Sequence, residues 1–378
     1  MRPTREIDRL PETGGIGVFL STTFGRLLVS LFVPAVTFIV LYQVFIFLRD
    51  TQIPQWMTAI IAILWGVGGV LALFTLSNYL IEQLSPTWRR RLIPFVFVGP
   101  AMAILTWYLV LPTIRSFIAS LYDARGINFV GLDNYIYAFT SQEMLQSYRN
   151  NFIFWMIFGT GMSVGFGLLI AVLVDRTHPV FETICKALIF MPMVISGVGA
   201  SVIWKFIYEY RPTGSTQIGL LNGIITALGF ESQGWLLLQP WNNFFLVIIM
   251  VWLQTGYSMV IISAAIKGIP SDLLEAGRID GANEFQIFRN IILPSIQGTL
   301  ITVTTTIILF TLKIFDIVQS MTGGNFGTQV IANVQFVQLF RQVHNGRAAA
   351  IAIILLLAVL PVMYYNLRQF GKQTEAFR

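Results

Sequence analysis

Lys267-Gly-Ile-Pro-Ser-Asp-Leu-Leu-Glu-Ala-Gly-Arg-Ile-Asp-Gly-Ala-Asn-Glu-Phe-Gln-Ile-Phe-Arg-Asn-Ile-Ile-Leu-Pro294 separates two long apolar runs, 244–266 and 296–317. Its local logic is a short helix, a turn and a second helix. Pro270 followed by Ser271 and Asp272 suits a helix start, because either side chain can accept from free backbone N–H groups. Leu273, Leu274 and Gly277 fall at helical spacing on one apolar face. Gly281 supplies a backbone that turns tightly or is approached closely. Phe285 and Phe288 give the second segment an apolar face, and Pro294 marks entry into the next helix. The stretch is amphipathic and compact, as a docking element is.

The flanking runs set the class. A spanning helix needs about 20 apolar residues, because the hydrocarbon core is about 30 Å thick and a helix rises about 1.5 Å per residue. Besides 244–266 and 296–317, the windows 27–48, 57–80, 92–114, 152–174, 187–204 and 348–367 meet or nearly meet this length. All but one lack Asp, Glu, Lys and Arg; 296–317 holds Lys313 and Asp316 near its end. The chain is 55% hydrophobic and only 11% charged, where a soluble domain carries about a quarter charged residues. Eight buried core helices would leave too little amphipathic chain to cover them. The predicted fold is therefore all-α and polytopic, with eight transmembrane helices.

Basic residues orient it. With the N-terminus inside, 15 of the 24 Lys and Arg fall on inner segments, including Arg89, Arg90, Arg91, Arg176, Lys186, Lys267, Arg278 and Arg289. This bias predicts both termini in the cytoplasm. The net charge of +6 is then largely a topology signal rather than a nucleic-acid footprint. The single Cys185 forbids an intrachain disulfide, and His178 with His344 leaves little to build a zinc site or a Cys–His pair. No metal and no cofactor is expected. About 25 mixed residues precede a first apolar run of spanning length, which is not the form of a cleaved signal peptide.

The organisation predicted is a cytoplasmic tail at 1–25, a two-helix extension at 26–91, a six-helix core at 92–370 and a second cytoplasmic tail at 371–378. The basic stretch 85–91 is the module boundary. Outer loops at 115–151 and 205–243 mix aromatic, Gly and polar residues, as segments that order against a soluble partner do.

Glu275-Ala276-Gly277, then Gly281, nine residues and Ile291-x-Leu293-Pro294 resembles the EAA loop of permease subunits in binding-protein-dependent ABC importers. Gly277 stands where the third residue is usually Ala, a small residue for a small one; Asp280-Gly281-Ala282 is also typical. Phe129-Val-Gly-Leu-Asp-Asn-Tyr135, Met191-Pro192, Trp235-Leu236, Trp252 and Gly346-Arg-Ala-Ala-Ala350 resemble segments of the carbohydrate permeases, in particular the larger, maltose-permease-like subunit. Thr322-Gly-Gly324 resembles a TxGGP element, with Asn325 in place of Pro. The resemblance covers about residues 90–370 and implies an ABC importer type I permease fold in its eight-helix version.

It further implies that the loop is a coupling helix seated in a groove of an ATPase subunit. Leu274, Glu275, Ala276, Gly277, Asp280, Gly281, Ala282, Phe288, Ile291, Leu293 and Pro294 would make that contact. The implied partners are a second homologous permease, two ATPases, an extracytoplasmic solute-binding protein and a sugar or glycoside in a bacterial plasma (inner) membrane. The chain has no GxxxxGK[ST] phosphate loop, and Gly371-Lys-Gln-Thr does not supply one, so ATP hydrolysis is expected from the partners and not from this chain. Tyr122, Asp133, Asn134 and Tyr135 are candidate contacts of the binding protein.

Sugars present C–H faces that aromatic rings cover and hydroxyls that amides bond. Trp252-Leu-Gln-Thr-Gly-Tyr257 is the best such stretch within a span, and Gln254 and Tyr257, three apart, share a helix face. The resemblance adds Met193, Gly197, Phe310, Thr311 and Ile314 to the substrate path. Helix–helix packing is the ordinary alternative for such residues. Lys313 and Asp316 are spaced to pair on one helix face, as a structural pair, an outer-gate contact or a sugar contact. An ion-coupled secondary carrier acting alone would need paired carboxylates or His relays at mid-membrane, and an embedded enzyme a catalytic cluster; the sequence shows neither.

Overall fold

The computed structural model describes residues 23–50, 53–82, 84, 86–212 and 214–376. The tail at 1–22, Ser85 and the last two residues lie outside this set. The described chain is helical, with one isolated antiparallel bridge, Tyr122 to Phe129. It divides into two compact units, Met1–Pro112 and Thr113–Arg378. The division falls inside the third long helix, downstream of the basic 85–91 stretch.

In the first unit, α1 (Thr23–Asp50) and α2 (Gln55–Glu82) pack as a hairpin. They meet closely at Gly69, where a side chain would run into Leu41; small residues are what lets membrane helices approach this way. α3 (Pro86–Ala119) is 34 residues long, and its Phe97 stacks on Phe74 of α2 at 5.8 Å.

The second unit begins with α4 (Asp133–Thr140) and α5 (Gln142–Asp175). α5 starts ten residues before the predicted window, because Gln142–Arg149 is helical although polar. Next come α6 (Pro179–Phe190), α7 (Gly197–Tyr208), α8 (Leu220–Ala227) and α9 (Asn242–Lys267). The loop follows as α10 (Ser271–Ile279) and α11 (Glu284–Ser295), then α12 (Gln297–Leu312), α13 (Asp316–Met321), α14 (Ile331–Phe336) and α15 (Asn345–Ala376). The tail expected at 371–378 is thus helical as far as Ala376.

α9 is the axis of this unit. Over half of its apolar window, 56%, is buried, and Leu246, Ile249, Met250, Leu253, Met259 and Ile262 form the centre of the core. It lies against α5 where Gly167 meets Ser258 and the backbone of Met259, and against the end of α6 where Gly256 meets the backbone of Ile189 and Phe190. Neither glycine has room for a Cβ.

Five described helices are long and apolar enough to cross a membrane, and seven if each of two bent pairs is one crossing. The expected eight is compatible with this once the 28-residue α1 is added. Two predicted straight spans are corrected. The window 187–204 is broken by 102° between Pro179–Val194 and Gly197–Tyr208. Pro192 carries no amide hydrogen, Ile195 and Ser196 are extended, and the Ser196 hydroxyl accepts from Gly199 N at 3.1 Å to restart the helix. The window 296–317 is bent by 68° at its entry, ends at Leu312 and restarts at Asp316. Lys313 and Asp316 therefore do not share one helix face, and no ion pair joins them.

Four asparagines, two in the third turn of α5 and two at the start of α9, tie down the segment 326–331. Asn150 Nδ2 donates to the carbonyls of Gly327 and Gln329, both at 2.8 Å. Asn151 Oδ1 accepts from Ile331 N at 2.9 Å. Asn242 Nδ2 donates to Phe326 O at 2.7 Å, and Asn243 Nδ2 to Gly327 O at 3.4 Å. All four asparagines are buried, and the Nδ2 of each donates to a backbone carbonyl where water cannot reach.

Candidate functional site: a helical loop and a cavity at two helix breaks

The loop 267–294 folds as a helix, a turn and a second helix. Pro270 occupies the cap of α10, and neither Ser271 nor Asp272 caps it through its side chain, which corrects that expectation. The cap lies instead at α11: Asn283 Oδ1 accepts from Gln286 N at 2.9 Å, and Gln286 Oε1 from Asn283 N at 2.8 Å. Gly281 turns the chain with φ +81° and nothing within 4 Å of a notional Cβ. Leu274, Ala282, Phe288 and Ile291 pack on the main core, with Ile287 and Ile292 buried beneath them. Gly277 sits directly under the Ile291 side chain, and a Cβ there would lie 2.6 Å from its Cδ1. Leu273 and Phe285 do not share these faces; they point out with Ile279, and Ile279 is 86% exposed. Ala276, Glu275 and Asp280 are exposed as well.

Charges fix the loop at both flanks. Asp175 and Arg176, consecutive at the end of α5, reach Lys267 at the start of the loop at 3.8 Å and Glu284 further along it at 2.9 Å. Glu284 also accepts from Arg278 at 3.3 Å. Glu182 of α6 pairs with Lys186 and with Lys267, the latter at 2.5 Å, and Lys186 also donates to the Ser263 hydroxyl of α9. Sequence reasoning missed Glu182. Its signal was the i, i+4 spacing to Lys186.

The second feature is a cavity of about 330 Å³ where the two helix breaks face each other. It brings together Met193, Gly197, Gln254, Phe310, Lys313 and Ile314, with Asp316 added. Trp252, Tyr257 and Thr311 lie outside its lining. Trp252 packs edge-on against Trp204 at 5.9 Å, and Tyr257 is half-buried against the core. Thr311 is fully buried, its hydroxyl donating to Ile308 O and its carbonyl accepting from Asn151. The Asp316 carboxylate stands over Gly197: a Cβ there would be 3.4 Å from Oδ2. Among the described residues, the side chains of Gln254, Lys313 and Asp316 have no hydrogen-bond or ion-pair partner within the protein. An amide, an ammonium and a carboxylate around one apolar-walled space can bind a polyhydroxylated solute.

The expected outer contacts separate. Asn134 is buried, donating to the carbonyls of Ser120 and Tyr122, and Tyr135 bonds the Ser120 hydroxyl, so both are internal struts; Asp133 is exposed. Both histidines cap helices through Nδ1: His178 accepts from Val180 N at 3.4 Å, and His344 from Arg347 N at 3.2 Å. Burial, then the Arg347 charge, pushes the His344 imidazole below its ordinary value. Among the described residues no His, Cys, Asp and Glu groups converge as a metal site would require.

Long apolar helices, two of them broken around an apolar-walled cavity with polar groups, and an amphipathic helix-turn-helix between two of the apolar helices define a permease of the helical, polytopic class. The chain belongs to the binding-protein-dependent transport system inner membrane component family, whose model matches residues 163–369. It is 54% identical over 280 residues to the osmoprotective compounds uptake permease protein GgtC of Synechocystis sp., covering 74% of this chain and 99% of that one. It is 46% identical over 332 residues to the alpha-glucoside transport system permease protein AglF of Rhizobium meliloti, covering 83% and 98%. In fold it is similar to a chain of a bacterial ABC transporter involved in the import of the acidic polysaccharide alginate, with a TM-score of 0.62, 18% identity, and coverage of 74% and 96%.

Proposed function

We propose that this chain is the sugar- or glycoside-conducting permease subunit of an ATP-driven importer, with α-glucosides, maltose, trehalose or glycosidic compatible solutes as the substrate class. The observation that carries this reading is the cavity at the two helix breaks, where Gln254, Lys313 and Asp316 turn unpaired polar groups toward apolar walls. Neutral polyols need that mixture of hydrogen-bonding groups and apolar surface. The relatives' names point to the same solutes: osmoprotective compounds for one, alpha-glucosides for the other.

In this reading the loop 267–294 seats on an ATPase subunit through its outward apolar residues Leu273, Ile279 and Phe285, beside Glu275, Ala276, Asp280 and Gly281. The inward set, Leu274, Gly277, Ala282, Phe288 and Ile291, passes the motion to the core. Leu293 and Pro294 lead it into α12. A second, homologous permease completes the path, two ATPases supply the energy, and an extracytoplasmic binding protein delivers the solute. Both termini are cytoplasmic. Residues 26–91 are a two-helix extension to a six-helix core at 92–370.

The test is uptake in proteoliposomes carrying the complete complex, after calorimetry has identified the solute held by its binding protein. Uptake of that solute should require ATP inside the vesicles and the binding protein outside. Uptake that persists with the ATPase subunits omitted would revive an ion-coupled carrier and sink this reading.

A further inference from the structure

A second cleft in the second unit, about 680 Å³, is distinct from the cavity at the helix breaks. It opens between the N-terminal turns of α5, the turn Gly323-Gly324-Asn325 and the end of the helix continuing from α14. Arg149 and Arg341 line it, and among the described residues neither has a carboxylate within ion-pair distance. The cleft's own carboxylate, Glu143, is already engaged: it accepts from Gln329 Nε2 at 3.0 Å and from the Tyr137 hydroxyl at 3.4 Å. Arg347, nearby in sequence to Arg341, is occupied over the Tyr137 ring, 4.0 Å from its centroid. Two guanidinium groups thus face one opening without a counter-charge.

The backbone at the rim is unusual as well. Phe326 and Val343 are the non-glycine residues with positive φ among those described, at 58° and 53°. Each adjoins the cleft: Phe326 follows Asn325, and Val343 is two residues beyond Arg341. For a β-branched residue this conformation is an outlier, and such strain concentrates where side chains must be presented. Both side chains are held outward, 48% and 64% exposed. The rim does not yield, because the asparagine ties to Phe326, Gly327 and Gln329 hold its floor. Exposed apolar anchors beside arginine on a rigid base are the make-up of a protein interface rather than of a solute pocket.

The cleft also lies on the correct side. Arg149 and Asp175 are at opposite ends of α5, roughly 40 Å apart at a helical rise. Asp175 meets the docking loop, so the cleft is on the other face of the membrane.

We infer that this cleft is the docking site for an acidic patch on the extracytoplasmic binding protein, with Arg149 and Arg341 taking its carboxylates and Phe326 and Val343 flanking them. This rests on the importer reading above. The experiment uses the complete complex in nanodiscs, with its binding protein loaded with the solute that calorimetry identifies. Stimulated ATP hydrolysis is measured against binding-protein concentration. For R149E/R341E, the half-saturating concentration should rise about fivefold or more, because charge pairs at an interface govern encounter. The wild type should weaken with added salt and the variant should not. R149Q/R341Q, which keeps the bulk, should fall between, and R368E, an exposed change far along α15 from the cleft, should match wild type. A Glu→Arg or Asp→Arg exchange on the binding protein that restores R149E/R341E completes the assignment. An unchanged half-saturating concentration in both double variants overturns the inference, as does equal weakening by R368E. A variant defect seen only in nanodiscs of anionic lipid, with an unchanged half-saturating binding-protein concentration in neutral lipid, would assign the arginines to lipid instead. If the wild type shows no response to any binding protein, the importer reading fails and not the cleft alone.

Discussion

Arg176 at the end of α5 donates from Nη2 to Glu284 Oε2 in the loop 267–294 at 2.9 Å, while its neighbour Asp175 reaches Lys267 at the loop's start. Both partners of the first pair are about half exposed. Such a pair contributes little to stability, about 0–1 kcal/mol. Its expected role is to hold register between loop and span. R176E should therefore leave the melting temperature of the complex within about 2 °C, yet reduce solute uptake per ATP hydrolysed several-fold. The reciprocal R176E/E284R should recover most of it. Recovery failing while both proteins remain well folded removes the pair from the coupling route.

Gly281 is in the left-handed region, with open space around it. Gly281→Ala should cost about 1 kcal/mol from backbone conformation alone. Gly281→Trp starts from a Cβ with open space around it, so a loss well beyond that of Gly281→Ala is expected from a docked partner. Transport should be abolished, with weaker ATPase retention during detergent purification. Normal transport by the Trp variant would remove this turn from the interface.

Gln254 lines the cavity and Tyr257 does not. Gln254→Leu keeps the volume nearly constant and removes a hydrogen bond, which typically costs about 0.5–1.5 kcal/mol. Uptake should fall several-fold, and binding-protein-stimulated ATP hydrolysis should persist. Tyr257→Phe should behave as wild type. The reverse ranking would move the path to the other face of α9.

Gly256 has Ile189 O and Phe190 Cα where a side chain would go, and Gly161 has nothing within 4 Å. Gly256→Ala should lower stability by about 1–3 kcal/mol, the usual cost of overpacking. Gly161→Ala should be neutral or slightly stabilising. Melting of the purified complex compares them directly.

His344 caps α15 only when its Nδ1 is unprotonated. Its pKa is lowered in the fold, so the unfolded chain binds the proton more readily. This contribution is complete above the unfolded value near 6.5 and is lost as pH falls below it. Thermal unfolding followed from pH 7.5 to 5.5 should show a decline that H344N, a cap without a titration, removes.

Apolar length and basic asymmetry made the membrane class legible, and the spacing from Glu275 to Pro294 made the loop legible. Helix breaks were less so. Hydropathy averages across Met191-Pro192 and Ser196-Gly197 as if the chain ran straight, although Pro192 and the Ser196 cap were visible signals. The Lys313–Asp316 spacing suggested an i, i+3 pair because a continuous helix was assumed; the break at Leu312 instead turns both toward Gln254. Tyr257 was placed by helical periodicity alone, which cannot tell a core-facing side from a cavity-facing one. The doubled asparagines at 150–151 and 242–243 stood at the ends of apolar runs, and their partners, backbone carbonyls and an amide some 80–180 residues away, have no sequence signature.

The four amide ties to 326–331 also limit how such a chain can diverge. One residue inserted between Phe326 and Ile331 would move the carbonyls of Gly327 and Gln329 out of register with Asn150, and would strand buried amides that no single further change could satisfy. Descendants of this sequence can exchange side chains around the cavity one at a time and so drift toward new solutes. They cannot lengthen or shorten this segment by small steps, so its length will be inherited while the cargo changes.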